Sequence, residues 1–231
     1  MRVYSIADIH LSHAVPNKAM DVFGAQWKNH TERLAEAWKR TVRPGDIVLI
    51  NGDISWAMHF SEAREDLFFI HSLPGIKVLL RGNHDYWWTG YEKLRSMLPP
   101  SVLAVQNNCI RIKNICIGGT RLWNIPGSGA YKESEDRKIY EREKLRLALS
   151  LRGFKEGENN FVMLHFPPFS EKETESEVTA ILKQYSVTAV VYGHLHGVPA
   201  QNSLSRSIDS IPYYFTAADS LQFTPKLIFE G

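Results

Sequence analysis

Five short stretches carry side chains that bind metal ions: Asp8-Ile9-His10, Gly52-Asp53, Gly82-Asn83-His84-Asp85, His165 and Gly193-His194-Leu195-His196. Carboxylate and neutral imidazole satisfy a hard or borderline divalent cation, and two such cations need one ligand that bridges them, a part that suits Asp53. Side chains two apart on an extended strand end share a face, which pairs Asp8 with His10 and His194 with His196. Asn83 adds a neutral carbonyl ligand, keeping the negative charge low enough for an anionic substrate to approach. Two cations about 4 Å apart share a hydroxide, lower its pKa and hold a phosphoryl oxygen, which is machinery for hydrolysing phosphate esters. An aminopeptidase uses a similar pair of metals but has no evident need of the Gly-Asn-His-Asp turn.

Each stretch follows a short apolar, often β-branched run: Val3 to Ile6, Ile47 to Ile50, Val78 to Leu80, Phe161 to Leu164 and Ala189 to Tyr192. Such runs, ended by Gly, Asn or Pro, predict buried strands. Ligands of an open α/β sheet gather outside the carboxyl ends of its strands, so five such ends converge on one site. Helical spacing predicts a helix over 31–40 capped by Thr31, and a second over Ser61 to Leu73 capped by Ser61 and stopped by Pro74-Gly75. The first third therefore alternates strand and helix, which implies a largely parallel sheet. Val102 to Val105, Ile110 to Ile112 and Ile115 to Ile117 predict a meander. A Gly/Ser-rich loop at 120–131 and a charged helix over Glu133 to Leu151 follow, and Tyr213 to Phe215 with Lys226 to Phe229 are expected to close a second sheet.

The chain has 231 residues, 44% of them hydrophobic, enough for one domain over 1–231. Lys plus Arg number 27 against 25 Asp plus Glu, a balance with no stripe to track a phosphate backbone. Long nucleic acid is thus not expected as an obligate partner. No signal-length apolar stretch opens the chain and no run reaches membrane-span length, so a cytoplasmic protein without membrane attachment is expected. Cys109 and Cys116 fall in neighbouring strand-like segments where they could face each other across a hairpin; buried free thiols are the expected state. Oligomeric state is not legible.

In this order the motifs resemble those of the calcineurin-like metallophosphoesterases, also called binuclear metallophosphoesterases, over residues 8 to 196. Gly-Asn-His-Asp/Glu alone arises by chance in a chain of this length on the order of once in a thousand. The resemblance implies an α/β (α+β) fold of two face-to-face mixed β-sheets flanked by helices. It implies one metal held by Asp8, His10, Asp53 and His196 and a second held by Asp53, Asn83, His165 and His194. Manganese is the expected cation, with iron or zinc as the other candidates. His84 would contact the phosphate and either protonate the leaving oxygen or stabilise its charge. The implied partner is a small phosphoester substrate.

One departure stands out. Many members continue Gly-Asp-x-x-Asp and then Arg-Gly, whereas this chain has Gly52-Asp53-Ile54-Ser55-Trp56-Ala57. The missing carboxylate commonly orients the imidazole equivalent to His84, leaving Asp85, a backbone carbonyl or water to do so here. The missing Arg counts against a phosphoprotein phosphatase. Further candidates for substrate contact are Arg121 as a phosphate clamp, Trp87 and Trp123 as pocket aromatics, and His13, three residues past the first motif. Trp27, Trp56 and Trp88 share the aromatic argument, set against the more usual use of large aromatics in cores. The competing functions are a nuclease of the same superfamily and a non-catalytic protein-binding scaffold on this fold.

Overall fold

The computed structural model describes residues 1–170, 173–199 and 204–231. Two mixed sheets lie face to face. The first has the order β11-β1-β2-β3-β4, with β1 (Arg2–Ile6), β2 (Ile47–Asn51), β3 (Ile76–Leu80), β4 (Val102–Val105) and β11 (Lys226–Glu230). The second has the order β5-β6-β7-β8-β10-β9, with β5 (Cys109–Ile112), β6 (Ile115–Thr120), β7 (Asn159–Leu164), β8 (Ala189–Tyr192), β9 (Arg206–Ile208) and β10 (Ile211–Phe215). β1 to β4 run parallel to one another, as do β6, β7, β8 and β10.

The apolar runs are nearly continuous because both faces of each sheet are covered. Val3, Ile47, Leu49 and Val78 point inward against Ile117, Phe161, Met163 and Val191 of the other sheet. Their neighbours Val48, Ile50 and Leu79 point outward, under α1 (His30–Thr41), α2 (Phe60–Ser72) and α3 (Tyr91–Met97). On the far side, Val162, Leu164, Val190 and Tyr192 meet α4 (Glu133–Leu151) and α5 (Glu177–Leu182). Four layers result, helix on sheet on sheet on helix.

Several expectations need correction. α1 begins at His30 after Asn29 in a left-handed conformation, so Thr31 lies inside the helix. α2 starts after His59, whose N–H, with that of Met58, donates to the Glu62 carboxylate; a reciprocal cap one turn in replaces the Ser61 cap. The three-strand meander does not exist. β4 pairs parallel with β3 at the edge of the first sheet, and the chain then crosses at Gln106 to Asn108, so that of the three expected strands β5 and β6 alone form an antiparallel hairpin. Lys226 to Phe229 joins not the second sheet but the first, antiparallel to β1. Apolar patterning fixes that a strand is buried, not which of two equally apolar sheets receives it. Cys109 and Cys116 are free thiols, each opposite another residue of the hairpin, Gly118 and Arg111 respectively. No helix among the described residues is long and apolar enough to cross a membrane.

Lys77 secures the junction from α2 to β3. Its side chain is fully buried and its ammonium donates to the carbonyls of Leu73 at 2.7 Å and His71 at 3.2 Å, acceptors a helix leaves unpaired at its end, and to that of Gly75 in the following turn at 2.9 Å. Burial pushes its pKa down to about 8 from 10.5. Between those values the unfolded chain binds the proton and the folded chain does not, so stability rises as pH climbs through that window. Lys77→Met should flatten this rise and, by leaving carbonyls unpaired, cost about 1–3 kcal/mol at pH 8. Urea unfolding of parent and variant at pH 8 and pH 10 checks both effects; an unchanged pH increment in the variant would refute the assignment.

Candidate metal centre

The loops that leave β1 and β2 run side by side. Asp8 N–H donates to Gly52 O at 2.9 Å, His10 N–H to Asp53 O at 3.0 Å, Leu11 N–H to Ile54 O at 2.9 Å and Trp56 N–H to Leu11 O at 2.9 Å. This backbone zipper carries the parallel pairing past the sheet edge, into the turns that hold the carboxylates. A second seam ties the sheets together: Ala7 N–H donates to Thr216 O at 2.8 Å and Ala218 N–H to Ala7 O at 2.9 Å. The carboxyl ends of both sheets therefore face one another.

Four of the candidate ligands have left-handed backbones, Asp8 at φ 57°, His10 at 43°, Asp53 at 49° and His194 at 72°. Each costs about 1–3 kcal/mol outside glycine, and such strain concentrates where a side chain must be aimed. Two glycines are required by the same crowding. A Cβ on Gly52, itself at φ 102°, would overlap the His165 ring, and one on Gly82 would overlap the Asp53 carboxylate and amide.

Six side chains fall into two triads, Asp8, His10 and His196 in one, Asp53, His165 and His194 in the other, with the ligand atoms of each within 4.8 Å of one another. The Nε2 atoms of His10 and His196 lie 3.1 Å apart. His165 Nε2 lies 2.8 Å from Asn83 Oδ1 and 3.4 Å from Asp53 Oδ2. Asp53 Oδ2 is also 3.8 Å from His10 Nε2, so this oxygen faces both groups. All seven sequence-derived candidates, Asp8, His10, Asp53, Asn83, His165, His194 and His196, therefore converge. Asp8 Oδ1 is fully buried with no hydrogen-bond partner, while Asp8 Oδ2 accepts from His194 N–H at 2.8 Å. An orphaned carboxylate oxygen beside clustered imidazoles fits a divalent cation.

The electrostatics agree. Burial raises the Asp8 carboxyl to about 7, partly offset by His165. Burial pushes Asp53 up as well, but the charge and hydrogen bond of His165, with His10 and the His84 N–H, together outweigh it and hold Asp53 well below the usual carboxylate range. For His165 burial works downward, yet Asp53 and then Asp8 reverse it, lifting the imidazole to about 9. His165 thus answers two buried carboxylates with positive charge, and His196 is drawn the same way, with burial opposed and overcome by Asp219, Asp8 and Asp53. His10 and His194 are driven down to about 3, chiefly by burial, so both are neutral and ready to donate a lone pair.

Outer partners fix the rings. His165 Nδ1 donates to Asn51 O at 3.0 Å, leaving Nε2 for the site. Behind His196 lies Asp219, its Oδ1 3.6 Å from Nδ1 at ion-pair distance, itself held by Gly197 N–H at 2.8 Å and Ser220 N–H at 3.0 Å. Asp219 was not foreseen, since it belongs to no motif. It does lie four residues past β10, the strand-end position shared by the other five stretches.

Asp85 does not hold the His84 ring. Its Oδ1 accepts from the N–H groups of Ile54 at 2.9 Å and Ser55 at 3.2 Å and from Trp87 Nε1 at 3.0 Å, while Oδ2 accepts from Gly82 N–H at 2.8 Å. It clamps the second and third motif loops together. The His84 backbone N–H donates to Asp53 Oδ1 at 2.8 Å, and its half-buried ring packs against Trp56, centroids 4.7 Å apart. Trp56 also stacks on His10 at 4.8 Å and 20°. An indole thus occupies the place where the resemblance led one to look for a carboxylate. Burial lowers the His84 pKa, with Asp53 opposing.

Of the substrate candidates, Trp123 lines an apolar cavity of about 310 Å³ with Phe166, Phe169 and His194. Trp87 does not line a pocket: it is buried in the core beside Trp88 and Phe60. His13 is turned to α2, where its Nδ1 lies 2.6 Å from Asp66 Oδ1 and its N–H donates to the same oxygen at 3.0 Å. Arg121 stacks over Trp123 at 4.5 Å and borders a separate polar cavity. Trp27 and Trp56, with His10, His84 and His196, line a cavity of about 420 Å³ on the other side of the metal ligands.

Comparison with known proteins accords with this geometry. No curated protein matches the chain. Among solved structures, a phosphopantetheinyl hydrolase from Mycobacterium tuberculosis aligns with a TM-score of 0.62 at 14% identity, over 100% of this chain and 96% of that one. A protein of unknown function from Aquifex aeolicus aligns with a TM-score of 0.50 at 17% identity, over 98% and 95%. GAP50, described as the anchor in the inner membrane complex of Plasmodium, aligns with a TM-score of 0.52 at 14% identity, over 95% and 72%. At these identities the likeness is one of fold. The family model for calcineurin-like phosphoesterases matches residues 1–198, most of the chain, and with the converging ligands it makes this protein a member of the calcineurin-like phosphoesterase family.

Proposed function

We propose that the protein hydrolyses small phosphoesters, diesters or monoesters, using two divalent cations, with manganese the preferred metal. The observation that carries this reading is Asp53 Oδ2, which faces His10 Nε2 of one triad at 3.8 Å and His165 Nε2 of the other at 3.4 Å. Asp8, His10, Asp53 and His196 would hold one cation, and Asp53, Asn83, His165 and His194 the other. Bound there, the pair would polarise a phosphoryl oxygen and lower the pKa of water.

The remaining work falls to the chain. Asn51 holds the His165 ring by a hydrogen bond with Nε2 toward the site, and Asp219 faces His196 Nδ1 from behind at ion-pair distance. Trp27 and Trp56 wall the approach and limit water beside His84. His84 stabilises charge on the leaving oxygen through its ring N–H, because its neighbour at position 56 is an indole with no negative charge to favour an imidazolium. The retained ligands favour an enzyme over a scaffold, since a buried unpaired carboxylate oxygen is costly to keep without a cation to use it.

A screen of aryl mono- and diesters against added manganese, iron, zinc and magnesium tests the reading directly, and no turnover with any metal would end it. Asp53→Asn should reduce bound metal from two equivalents and lower turnover about 10²-fold or more, measured by elemental analysis beside activity. One tightly held metal with full activity would refute the bridging role.

His84→Ala should keep both metals and lose roughly 10²-fold in turnover. The loss should be similar for aryl and alkyl esters if His84 stabilises charge, and concentrated on alkyl esters if it is a general acid. Unchanged activity on both would remove His84 from the chemistry.

A further inference from the structure

Beside the metal centre, on the flank made by the carboxyl ends of β3, β4 and β6, lies a polar cavity of about 230 Å³ that the proposed hydrolysis does not use. Four arginines border it, Arg81 after β3, Arg121 after β6, and Arg142 and Arg146 one turn apart on α4. One carboxylate faces them, that of the buried Glu143, which accepts from Arg146 at 2.6 Å and from the Thr120 hydroxyl. Among the described residues, Arg81, Arg121 and Arg142 have no ion pair, and the Nε of Arg81 is buried with no hydrogen-bond partner. The Arg121 guanidinium lies over the face of Trp123.

Four guanidiniums against one carboxylate leave about three positive charges around a small cavity, and their mutual repulsion must be answered by something. Arg121 feels it: burial and then the charges of Arg81, Arg146 and Arg142 lower its pKa, with only Glu143 opposing. Planar guanidinium forks match the oxygens of a tetrahedral oxyanion, and an unpaired buried N–H is a donor waiting for an acceptor. Gln106, Asn107 and Thr120 add polar, neutral groups suited to completing such a shell, while Leu80, Val105 and Trp88 supply the apolar part of the lining.

We infer that this arginine cavity is a second anion site, one that takes a phosphate group apart from the one the metals would hold. The phosphate belongs either to a substrate carrying two phosphoryl groups or to a free inorganic anion. Arg81 directly precedes the Gly82-Asn83-His84 turn, and the Arg121 carbonyl accepts from His165 N–H at 3.2 Å, so the cavity and the metal ligands share two loops.

Calorimetric titration of the full chain with inorganic phosphate and pyrophosphate, as isolated and again in excess EDTA, separates this site from any anion bound by metal. Binding that persists in EDTA is expected. Arg142→Glu, an exposed helix position that leaves the core untouched, should weaken it at least tenfold, while Arg142→Lys should retain most of it. No binding in EDTA, or binding equal in Arg142→Glu and parent, would overturn the inference. The KM of Arg142→Glu then identifies the source: a rise confined to substrates with two phosphoryl groups marks a substrate subsite, and an unchanged KM with lost phosphate binding marks a free anion. Because the titration needs no turnover, it stands or falls apart from the proposed hydrolysis.

Discussion

Three carboxylates, Asp8, Asp53 and Asp85, are buried within one seam between the two sheets, where His165, with His196 beside Asp8, supplies the compensating charge. Burying ions costs several kcal/mol each unless they are paired or fully hydrogen-bonded. Much of the surrounding structure is explained as a means of meeting that cost. Asp85 spends both oxygens on four N–H donors and thereby becomes structural. Asp53 accepts from the His84 N–H and faces two imidazoles. Asp8 keeps one oxygen bare. The gradient from a fully satisfied carboxylate to an orphaned one runs from scaffold to metal ligand, and it separates the two roles among residues of the same type.

Holding that seam requires backbone that regular strands cannot supply. The left-handed turns at Asp8, His10, Asp53 and His194 aim side chains inward immediately after each strand ends, and the zipper between the first two loops keeps these turns in register. The apolar interior between the sheets is a rigid base for them, with inward residues such as Leu49 and Phe161 fully buried. Strain at the site is thus offset by packing one or two residues away.

Much of this was legible from residue types and spacing. The five strand ends and all seven candidate ligands lie where the apolar runs and motif order put them, because a buried strand followed at once by Gly, Asp or His has few other ways to satisfy its backbone. What stayed hidden depends on pairing across long sequence distance. β11 joins β1 from the far end of the chain, and its apolar pattern would serve either sheet equally. Asp219 reaches His196 only because β10 ends beside β1, and His13 turns away from the site because Asp66 on α2 accepts from it. Trp87 and Trp56 sit in equivalent places, each just after a ligand motif. One is sealed in the core and the other stacks on His10, a difference set by loop direction rather than residue type.

Trp56 shows how the site tolerates its departure from the Gly-Asp-x-x-Asp pattern. A carboxylate at that position would add a further negative charge to a seam that already buries three, answered chiefly by His165. The indole instead restrains His84 by ring contact and walls the cavity above His10, at no electrostatic cost. Its Nε1 finds the sulfur of Met20 at 3.1 Å, and the zipper at Leu11 fixes its backbone, so the ring is held from three sides. The neighbouring hydroxyl of Ser55 turns the other way, to the Asp66 carboxylate that also receives His13. The loop after Asp53 has therefore exchanged a charged orienting group for a packed one, and the acidic partner lies behind the site, on α2, where it braces the loop without adding charge to the metal ligands.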